Sequence, residues 1–272
     1  MPLTYQEFKE AASRLCGNDL SLYKSKQMDR RIHSLMNIWG VSDYDEYLTI
    51  LQTDPQRYQE FVKKLTINVS EFFRNPDRFM ELWERIMPEL LKKPGKIKIW
   101  SAGCSNGSEP YSVAIILHEL CASTRAEILA TDIDQVVLDK AKKGVYLQNE
   151  IKSMPPDLIK KHFRQEGEAF YLKENIKERV VFKKHNLLKD PFEKDLDLII
   201  CRNVVIYFTE QAKNDLYIKF NQSLRMGGYF LVGGTEPLLY YKQLGYENVS
   251  PSFYKKIGEP KTDGMLGGLL FG

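Results

Sequence analysis

Short apolar strands that alternate with amphipathic helices begin near residue 97, and this pattern constrains the fold more than any other feature of the sequence. The strand candidates are IKIW (97–100), EILATD (127–132), VVFKK (180–184), LDLIICR (196–202) and YFLVGG (229–234), with SFYKKI (252–257) as the last. Between the first of them, SVAIILHEL and QVVLDKAKKG predict amphipathic helices. Such alternation favours a mostly parallel sheet covered on both faces. The sequence therefore predicts an α/β fold with a doubly wound sheet.

The segment before this pattern predicts a small helical bundle of four short helices. Thr4 and Glu7 form a T-x-x-E capping box, and Ser42 and Pro55 indicate two further helix starts. Apolar residues recur at spacings of three and four, at Met28, Ile32, Leu35 and Trp39. A further helix is expected from about Pro76 to Leu91.

These patterns predict a helical domain over residues 1–75, a main domain over 76–257 and a flexible Gly-rich tail over 258–272. The main domain is interrupted at about 145–180 by a polar, charged stretch. Within it, FYLKENIKERV is predicted to form a small hairpin. This stretch is interpreted as a small β insertion beside the main sheet.

Composition limits the partners and the compartment. Lys and Arg number 39 against 36 Asp and Glu, and this small excess predicts no nucleic acid partner. The four scattered cysteines and the lack of a signal segment predict a cytoplasmic location. No apolar run is long enough for a bilayer span, so no direct membrane insertion is expected. We further expect a monomer.

The loop in IKIW-SAGCSNGSEPYS, between the first strand and a helix opened by Pro110, predicts a cofactor site. Small residues at Gly103, Ser105 and Gly107 allow a ligand to approach the backbone closely. The dinucleotide fingerprint G-x-G-x-x-G is missing, which disfavours a nicotinamide dehydrogenase. Glu109 lies where a pyrophosphate would bind, so the loop suits a cationic ligand better. A plain tight turn is the alternative.

Asp132 ends the second strand in ATDID, where a carboxylate can accept hydrogen bonds from both ribose hydroxyls of an adenosine. The alternative is that Asp132 caps the helix that begins near Gln135, although Asp134 is the better candidate for that cap. Asp132 is therefore predicted to bind the cofactor.

Polar residues in LTINVSEFFRNP predict a segment that closes over the ligand. Asn68, Ser70 and Arg74 are spaced by two and four residues, while Phe72 and Phe73 can pack inward. Taken alone, the segment is equally compatible with a linker. Corroboration comes from the remaining motifs.

Two more strand ends carry polar residues. LDLIICRNVVIYF ends an apolar strand in Arg202 and Asn203, and the preceding HNLLKDPF offers Asn186 and Leu187 to flank an adenine. Because the carboxyl ends of parallel strands open on the ligand crevice, these residues are predicted to face the same site.

The ordered motifs N-x-S-x-F-F-R, W-S-A-x-x-S-x-G-x-E-P-Y-S, D-I-D, N-L-L and C-R-N-V-x-I-Y-F resemble those of the CheR-type chemotaxis receptor glutamate methyltransferases, over residues 10–257. The resemblance implies a Rossmann-like S-adenosylmethionine-dependent methyltransferase domain behind a helical N-terminal domain. It implies a protein-glutamate O-methyltransferase that releases S-adenosylhomocysteine. Its implied cofactor contacts are Asn68, Ser70, Arg74, Glu109, Asp132, Asn186, Leu187, Asn203 and Val204.

The resemblance also implies that Arg74 and Tyr207 act near the transferred methyl group. The implied partners are the helical cytoplasmic domains of chemoreceptors. In the family a basic helix of the N-terminal domain meets this substrate, and the candidates for that contact are Lys24, Lys26, Arg30 and Arg31. A merely solvated helix face is the alternative for these cations.

Two other functions stay open at the level of sequence. One is a methyltransferase with a different substrate, because a fold does not fix its substrate. The other is a non-catalytic scaffold that binds S-adenosylmethionine. No metal site is predicted, since the four histidines show no ligand spacing.

Overall fold

The computed structural model describes residues 2–66 and 70–261. They belong to two compact units, a helical unit (Met1–Asn68 and Tyr207–Lys213) and a sheet unit (Val69–Ile206 and Asn214–Gly272). The predicted Gly-rich tail lies outside the described residues from position 262 onward. Among the described helices, none combines the length and apolar character that a membrane span requires.

Four helices build the helical unit, as the sequence predicts. They are α1 (Tyr5–Cys16), α2 (Ser25–Trp39), α3 (Tyr44–Thr53) and α4 (Pro55–Leu65). The Thr4 capping box is present at the start of α1. The predicted cap at Ser42 is wrong, because the Asp43 side chain accepts the Glu46 N–H at the start of α3. Pro55 lies in the first turn of α4, behind a cap at Asp54.

Apolar side chains at helical spacing form the core of this unit. Met28, Ile32 and Leu35 of α2 are buried, and the rings of Phe8 and Tyr47 stack with centroids 5.0 Å apart. Burying this stripe stabilises short helices that would be marginal alone.

The sheet unit begins with a continuous helical segment. It consists of α5 (Pro76–Glu81), a π-helical turn (Leu82–Ile86) and α6 (Met87–Leu91), which agrees with the helix predicted over these residues. The other α-helices are α7 (Ser108–Glu119), α8 (Gln135–Lys143), α9 (Gln148–Ile151), α10 (Pro156–His162), α11 (Glu174–Lys177) and α12 (Glu210–Ser223). The first four residues of α12 belong to the helical unit. Helix α7 begins two residues before Pro110, which was predicted to open it.

A seven-stranded sheet forms the centre of this unit, in the order β6-β2-β1-β7-β8-β10-β9. Its strands are β1 (Ile97–Ala102), β2 (Ala126–Asp132), β6 (Val180–Lys184), β7 (Leu196–Cys201), β8 (Leu224–Val232), β9 (Tyr246–Ser250) and β10 (Phe253–Lys256). Pairing is parallel from β6 to β8 and antiparallel at β10 and β9. The predicted mostly parallel sheet is confirmed, and β9 was not predicted.

Every residue of β7 is buried, as expected for a parallel strand covered on both faces. The chain runs from β1 outward through β2 to β6, and then returns to lay β7 on the other side of β1. The strand order therefore reverses between β1 and β7, which is where doubly wound sheets bind ligands.

The insertion carries a second, antiparallel sheet in the order β3-β5-β4. Its strands are β3 (Val145–Leu147), β4 (Phe163–Glu166) and β5 (Ala169–Leu172). The predicted hairpin within FYLKENIKERV is wrong, since its centre is α11 and its first residues pair with β3 and β4.

Candidate functional site

The loop that follows β1 lies at the reversal point of the sheet. Gly103 and Gly107 have left-handed φ values of 81° and 84°. A Cβ atom on Gly103 would lie 2.5 Å from Cγ2 of Val204, the residue placed just beyond β7. Only glycine allows this approach, so the loops after β1 and β7 are held together as one rim.

Glu109, in the first turn of α7, places a carboxylate at this rim. Its Oε1 accepts a hydrogen bond from the Ser101 hydroxyl at 2.8 Å, and its Oε2 lies 3.5 Å from Nη1 of Arg202. Burial raises the pKa of Glu109, and the Arg202 charge opposes that shift. A carboxylate in this position repels a pyrophosphate and favours a cationic ligand.

Arg202 lies at the same rim, and the sequence analysis predicted that it faces the site without counting it among the cofactor contacts. Its side chain is only 2% exposed, and its Nη2 donates to the Arg74 carbonyl oxygen at 2.9 Å and to Oδ1 of Asn75 at 2.7 Å. The guanidinium also lies 5.5 Å from the centroid of the Phe79 ring. Arg202 therefore joins Glu109 to the segment that carries Arg74. A charged residue at the end of a buried, mostly apolar strand is the signal that indicates such a role.

Asp132 holds the loop after β1 from the neighbouring strand. Its carboxylate accepts the N–H groups of Ser105 at 2.8 Å and Asp134 at 3.0 Å. Burial raises its pKa, and these two hydrogen bonds oppose that shift. The cap of α8 is Asp134, whose side chain accepts the Val136 N–H. Asp132 therefore does not cap this helix, and its carboxylate retains further acceptor positions for a ligand.

Asn186 and Leu187 lie in the turn after β6, at the same edge of the sheet. The Asn186 side-chain oxygen accepts the Leu188 N–H at 2.9 Å, and the Asn186 backbone N–H donates to Oδ2 of Asp190 at 2.8 Å. Leu187 is buried. The His185 N–H donates to the Asp132 carbonyl oxygen at 2.9 Å, which ties this turn to the end of β2.

Asn203 follows β7 in a left-handed conformation with φ of 59°. Its N–H donates to the Glu236 carboxylate, which also accepts the N–H groups of Gly233 at 3.0 Å and Ile206 at 3.2 Å. Glu236 is 4% exposed, and burial raises its pKa while these hydrogen bonds oppose the shift. The carboxylate thus fixes strained backbone at the site. Sequence analysis missed Glu236, although it follows two glycines at the end of β8.

The segment with the predicted residues Asn68, Ser70 and Arg74 is described from Ser70 onward, so Asn68 lies outside the described residues. Ser70 and Arg74 are partly buried. The predicted inward packing of Phe72 and Phe73 is confirmed, since both are fully buried. Their N–H groups donate to the Glu150 carbonyl oxygen at 2.8 Å and the Ser112 hydroxyl at 3.0 Å, respectively. This segment is therefore anchored at its centre.

Tyr207 belongs to the helical unit, together with the four predicted receptor-binding cations. Its carbonyl oxygen accepts the Lys24 N–H at 2.9 Å, and its ring centroid lies 4.9 Å from the Arg31 guanidinium carbon. Arg31 also donates to the Leu65 carbonyl oxygen at 2.7 Å. Lys26 and Arg30, in contrast to Lys24 and Arg31, are exposed.

The structure therefore separates the predicted residues into two groups. One group lies along the carboxyl edge of the large sheet, at Glu109, Asp132, Asn186, Leu187, Asn203 and Val204, with Ser70 and Arg74 on the segment held by Arg202. The other group lies in the helical unit, at Tyr207, Lys24, Lys26, Arg30 and Arg31.

Comparison with known proteins agrees with this geometry. Residues 68–252 match the family model described as CheR methyltransferase, SAM binding domain, and residues 3–66 match the CheR methyltransferase, all-alpha domain. A chemotaxis protein methyltransferase of Listeria innocua is 37% identical over 253 residues, covering 93% of this chain and 97% of that relative. One of Borreliella burgdorferi is 39% identical over 254 residues, covering 88% and 89%.

These matches confirm the predicted fold, the S-adenosylmethionine cofactor and the methyltransferase activity in chemotaxis. Two thirds of the chain matches the cofactor-binding domain of the family, and the reversal point of the large sheet lies within that match. The chain belongs to the CheR methyltransferase family.

Proposed function

We propose that the chain transfers the methyl group of S-adenosylmethionine to glutamate side chains of chemoreceptors, forming methyl esters and S-adenosylhomocysteine. The observation that carries this proposal is the Glu109 carboxylate, with only 12% of its side chain exposed, beside the glycine loop at the reversal point of the sheet. That arrangement suits a cofactor with a positive charge. The chemotactic names of the relatives support a receptor as the methyl acceptor.

The chemistry needs alignment more than proton transfer. S-adenosylmethionine supplies, when bound, an electrophilic methyl group on a sulfonium. A glutamate with a pKa of about 4.3 is already ionised at pH 7, so no general base is required. The residues of the chain must hold the acceptor carboxylate in line and replace the water around it with fixed donors.

We propose that the cofactor contacts are made by Asn68, Ser70, Arg74, Glu109, Asp132, Asn186, Leu187, Asn203 and Val204. The six residues from Glu109 onward are supported by their common position at the carboxyl edge of the sheet. The residues before α5 are supported by the hydrogen bond that fixes the Arg74 backbone to Arg202. Arg74 has one of two roles, to orient the acceptor carboxylate or to hold the carboxylate of the cofactor. Both roles require a fixed backbone, which Arg202 provides.

Tyr207 is proposed to act near the transferred methyl group, and Arg31 is proposed as its positioning residue. Arg31 faces the Tyr207 ring and donates to the Leu65 carbonyl oxygen, so its guanidinium is already engaged within the helical unit. A cation over an aromatic face restricts the ring. The predicted contact of Arg31 with the receptor is the alternative, and the two roles differ in whether kcat or the receptor KM changes.

Receptor recognition is proposed for the other three predicted cations, Lys24, Lys26 and Arg30, which belong to the helical unit. Lys26 and Arg30 are exposed on α2, whereas Lys24 lies 3.6 Å from the Glu210 carboxylate. Exposed cations steer encounter with an acidic helix without desolvation. The proposed partner surface is the acidic, helical cytoplasmic domain of a chemoreceptor.

The test is transfer of radiolabelled methyl groups to membranes that carry chemoreceptors, followed by mild base. Base hydrolyses carboxyl esters and spares N-methyl groups. We expect base-labile label on receptors. Base-stable label, or binding of the cofactor without any transfer, would refute glutamate esterification while leaving the fold intact.

A further inference from the structure

Three side chains with metal-binding atoms meet where α7 and α10 end. His118 and Glu119 close α7, His162 closes α10, and their ligand atoms all lie within 4.8 Å of one another. Oε1 of Glu119 is 2.7 Å from Nε2 of His162 and 3.6 Å from Nδ1 of His118. Both imidazoles thus converge on one carboxylate oxygen. The sequence spacing that predicted no metal site does not detect this arrangement, because the histidines come from separate helices.

We propose that His118, Glu119 and His162 bind a divalent transition-metal ion of the Zn²⁺ type. Two imidazoles and one carboxylate are an established ligand set for zinc, with water in the fourth position. Tetrahedral bonds of about 2.0 Å place ligand atoms about 3.3 Å apart. The two separations from Glu119 are 2.7 and 3.6 Å, on either side of that value, and the two imidazole nitrogens lie within 4.8 Å of each other. Side-chain rotations would bring the three atoms to the spacing of a bound ion.

Two of the three side chains are largely shielded from water. The His162 side chain is 2% exposed and the Glu119 side chain is 15% exposed, so a bound ion would be held apart from bulk solvent.

His118 supplies the second observation. Its Nδ1 atom is buried and has no hydrogen-bond partner among the described residues. An orphaned polar atom of this kind calls for an explanation such as an ion. On the other side of the ring, Nε2 lies 3.3 Å from Nδ2 of the Asn175 side-chain amide. Metal binding through Nδ1 requires this amide to rotate by about 180°, so that its oxygen accepts the Nε2 proton and Nδ1 keeps a lone pair.

Lys161 sets the strength of the site. Its Nζ lies 2.7 Å from Oε2 of Glu119, the oxygen that the histidines do not approach. This contact orients the carboxylate, while the positive charge opposes a bound cation. Because the Lys161 side chain is 54% exposed, it is free to turn toward solvent. Its removal should therefore tighten metal binding. A bound ion would fasten α10 of the insertion to the end of α7 remote from Glu109.

The experiment uses the full chain with Cys121→Ser, because Cys121 is an exposed thiol close to Glu119 in sequence. After treatment with a chelator, Co²⁺ is titrated and its visible absorption recorded, and Zn²⁺ is then added as competitor. We expect saturation at one ion per chain and displacement by Zn²⁺. His118→Ala should weaken binding by at least about 10-fold, and Lys161→Met should tighten it several-fold. His33→Ala, at an exposed histidine of the helical unit, is the matched control.

His118 is partly exposed, so its alanine variant is expected to fold, and circular dichroism checks this. If the parent and the Lys161→Met variant both show no saturable Co²⁺ absorption, the cluster is an ion-pair network only and the proposal is wrong. Binding by His118→Ala that equals the parent would also overturn it.

Discussion

Arg202, at the reversal point of the large sheet, and the α2 cations Lys26 and Arg30 differ in how far their side chains are exposed to water. Arg202 is 2% exposed and is surrounded by Glu109, the Arg74 carbonyl oxygen and Asn75. Lys26 and Arg30 are exposed, without such an enclosure. A buried charge has a fixed position and fixed partners, so it can organise a site. An exposed charge contributes little to stability and suits recognition of a partner.

The largest effect is expected for Arg202→Met. Loss of the guanidinium leaves the largely buried Glu109 carboxylate with the Ser101 hydroxyl but without its cation, and it removes the donor to the Arg74 carbonyl oxygen and to Asn75. We expect the free energy of unfolding to fall by about 3 kcal/mol or more, and S-adenosylhomocysteine binding to be lost. Denaturant unfolding and calorimetry measure both quantities. Arg85→Met is the control, because Arg85 forms an exposed ion pair with Glu81 and should change the free energy by about 0.5 kcal/mol or less.

Arg74→Ala should lower methyl transfer by about 100-fold, the usual cost of removing one fixed donor from an active site. Its backbone contact with Arg202 is retained, so the free energy of unfolding should change little. Transfer kinetics with saturating receptor measure the effect. Full activity of this variant would remove Arg74 from the site.

Glu109→Gln should weaken cofactor binding by about 10-fold at pH 7, since it removes the negative charge that faces the cofactor. Burial raises the pKa of Glu109, so this carboxyl takes up a proton at a higher pH than an exposed glutamate does. In the parent, affinity should therefore fall as the pH is lowered toward that pKa. The glutamine variant should lack this loss, and calorimetric titration at several pH values compares the two.

Arg31→Ala should lower kcat by about 10-fold and leave the KM for receptor unchanged, because the Tyr207 ring loses the cation that faces it. Arg31→Lys should restore part of kcat. An increase in receptor KM without a change in kcat would instead return Arg31 to the recognition surface.

The smallest effect is expected for the double variant Lys26→Ala/Arg30→Ala. Receptor KM should rise several-fold at low ionic strength and approach the parent value as salt is added, since exposed charges are screened. Initial rates at increasing salt concentrations measure this. An effect that is independent of salt would contradict a steering role.

The sequence predicted the large sheet because short, mostly apolar segments alternate with amphipathic helices along the chain. The clearest of these segments is β7, in which Asp197 is the one charged residue. It did not predict β9, because YENVS is too short and polar to show a strand period. The site residues at strand ends were predicted because polar residues follow the apolar strands within motifs that resemble those of the family. Glu236 and the Arg31–Tyr207 contact were missed because their partners are distant in sequence, and only the folded backbone brings them together.

The central claim is that buried charges organise the cofactor site while exposed charges recognise the receptor. It is tested most directly by measuring S-adenosylhomocysteine Kd and receptor KM for two variants side by side, Glu109→Gln and Lys26→Ala/Arg30→Ala. We predict that the first variant changes the cofactor Kd alone and the second changes the receptor KM alone. If both variants alter the same quantity, cofactor binding and receptor recognition are not assigned to two separate charged regions, and the claim is wrong.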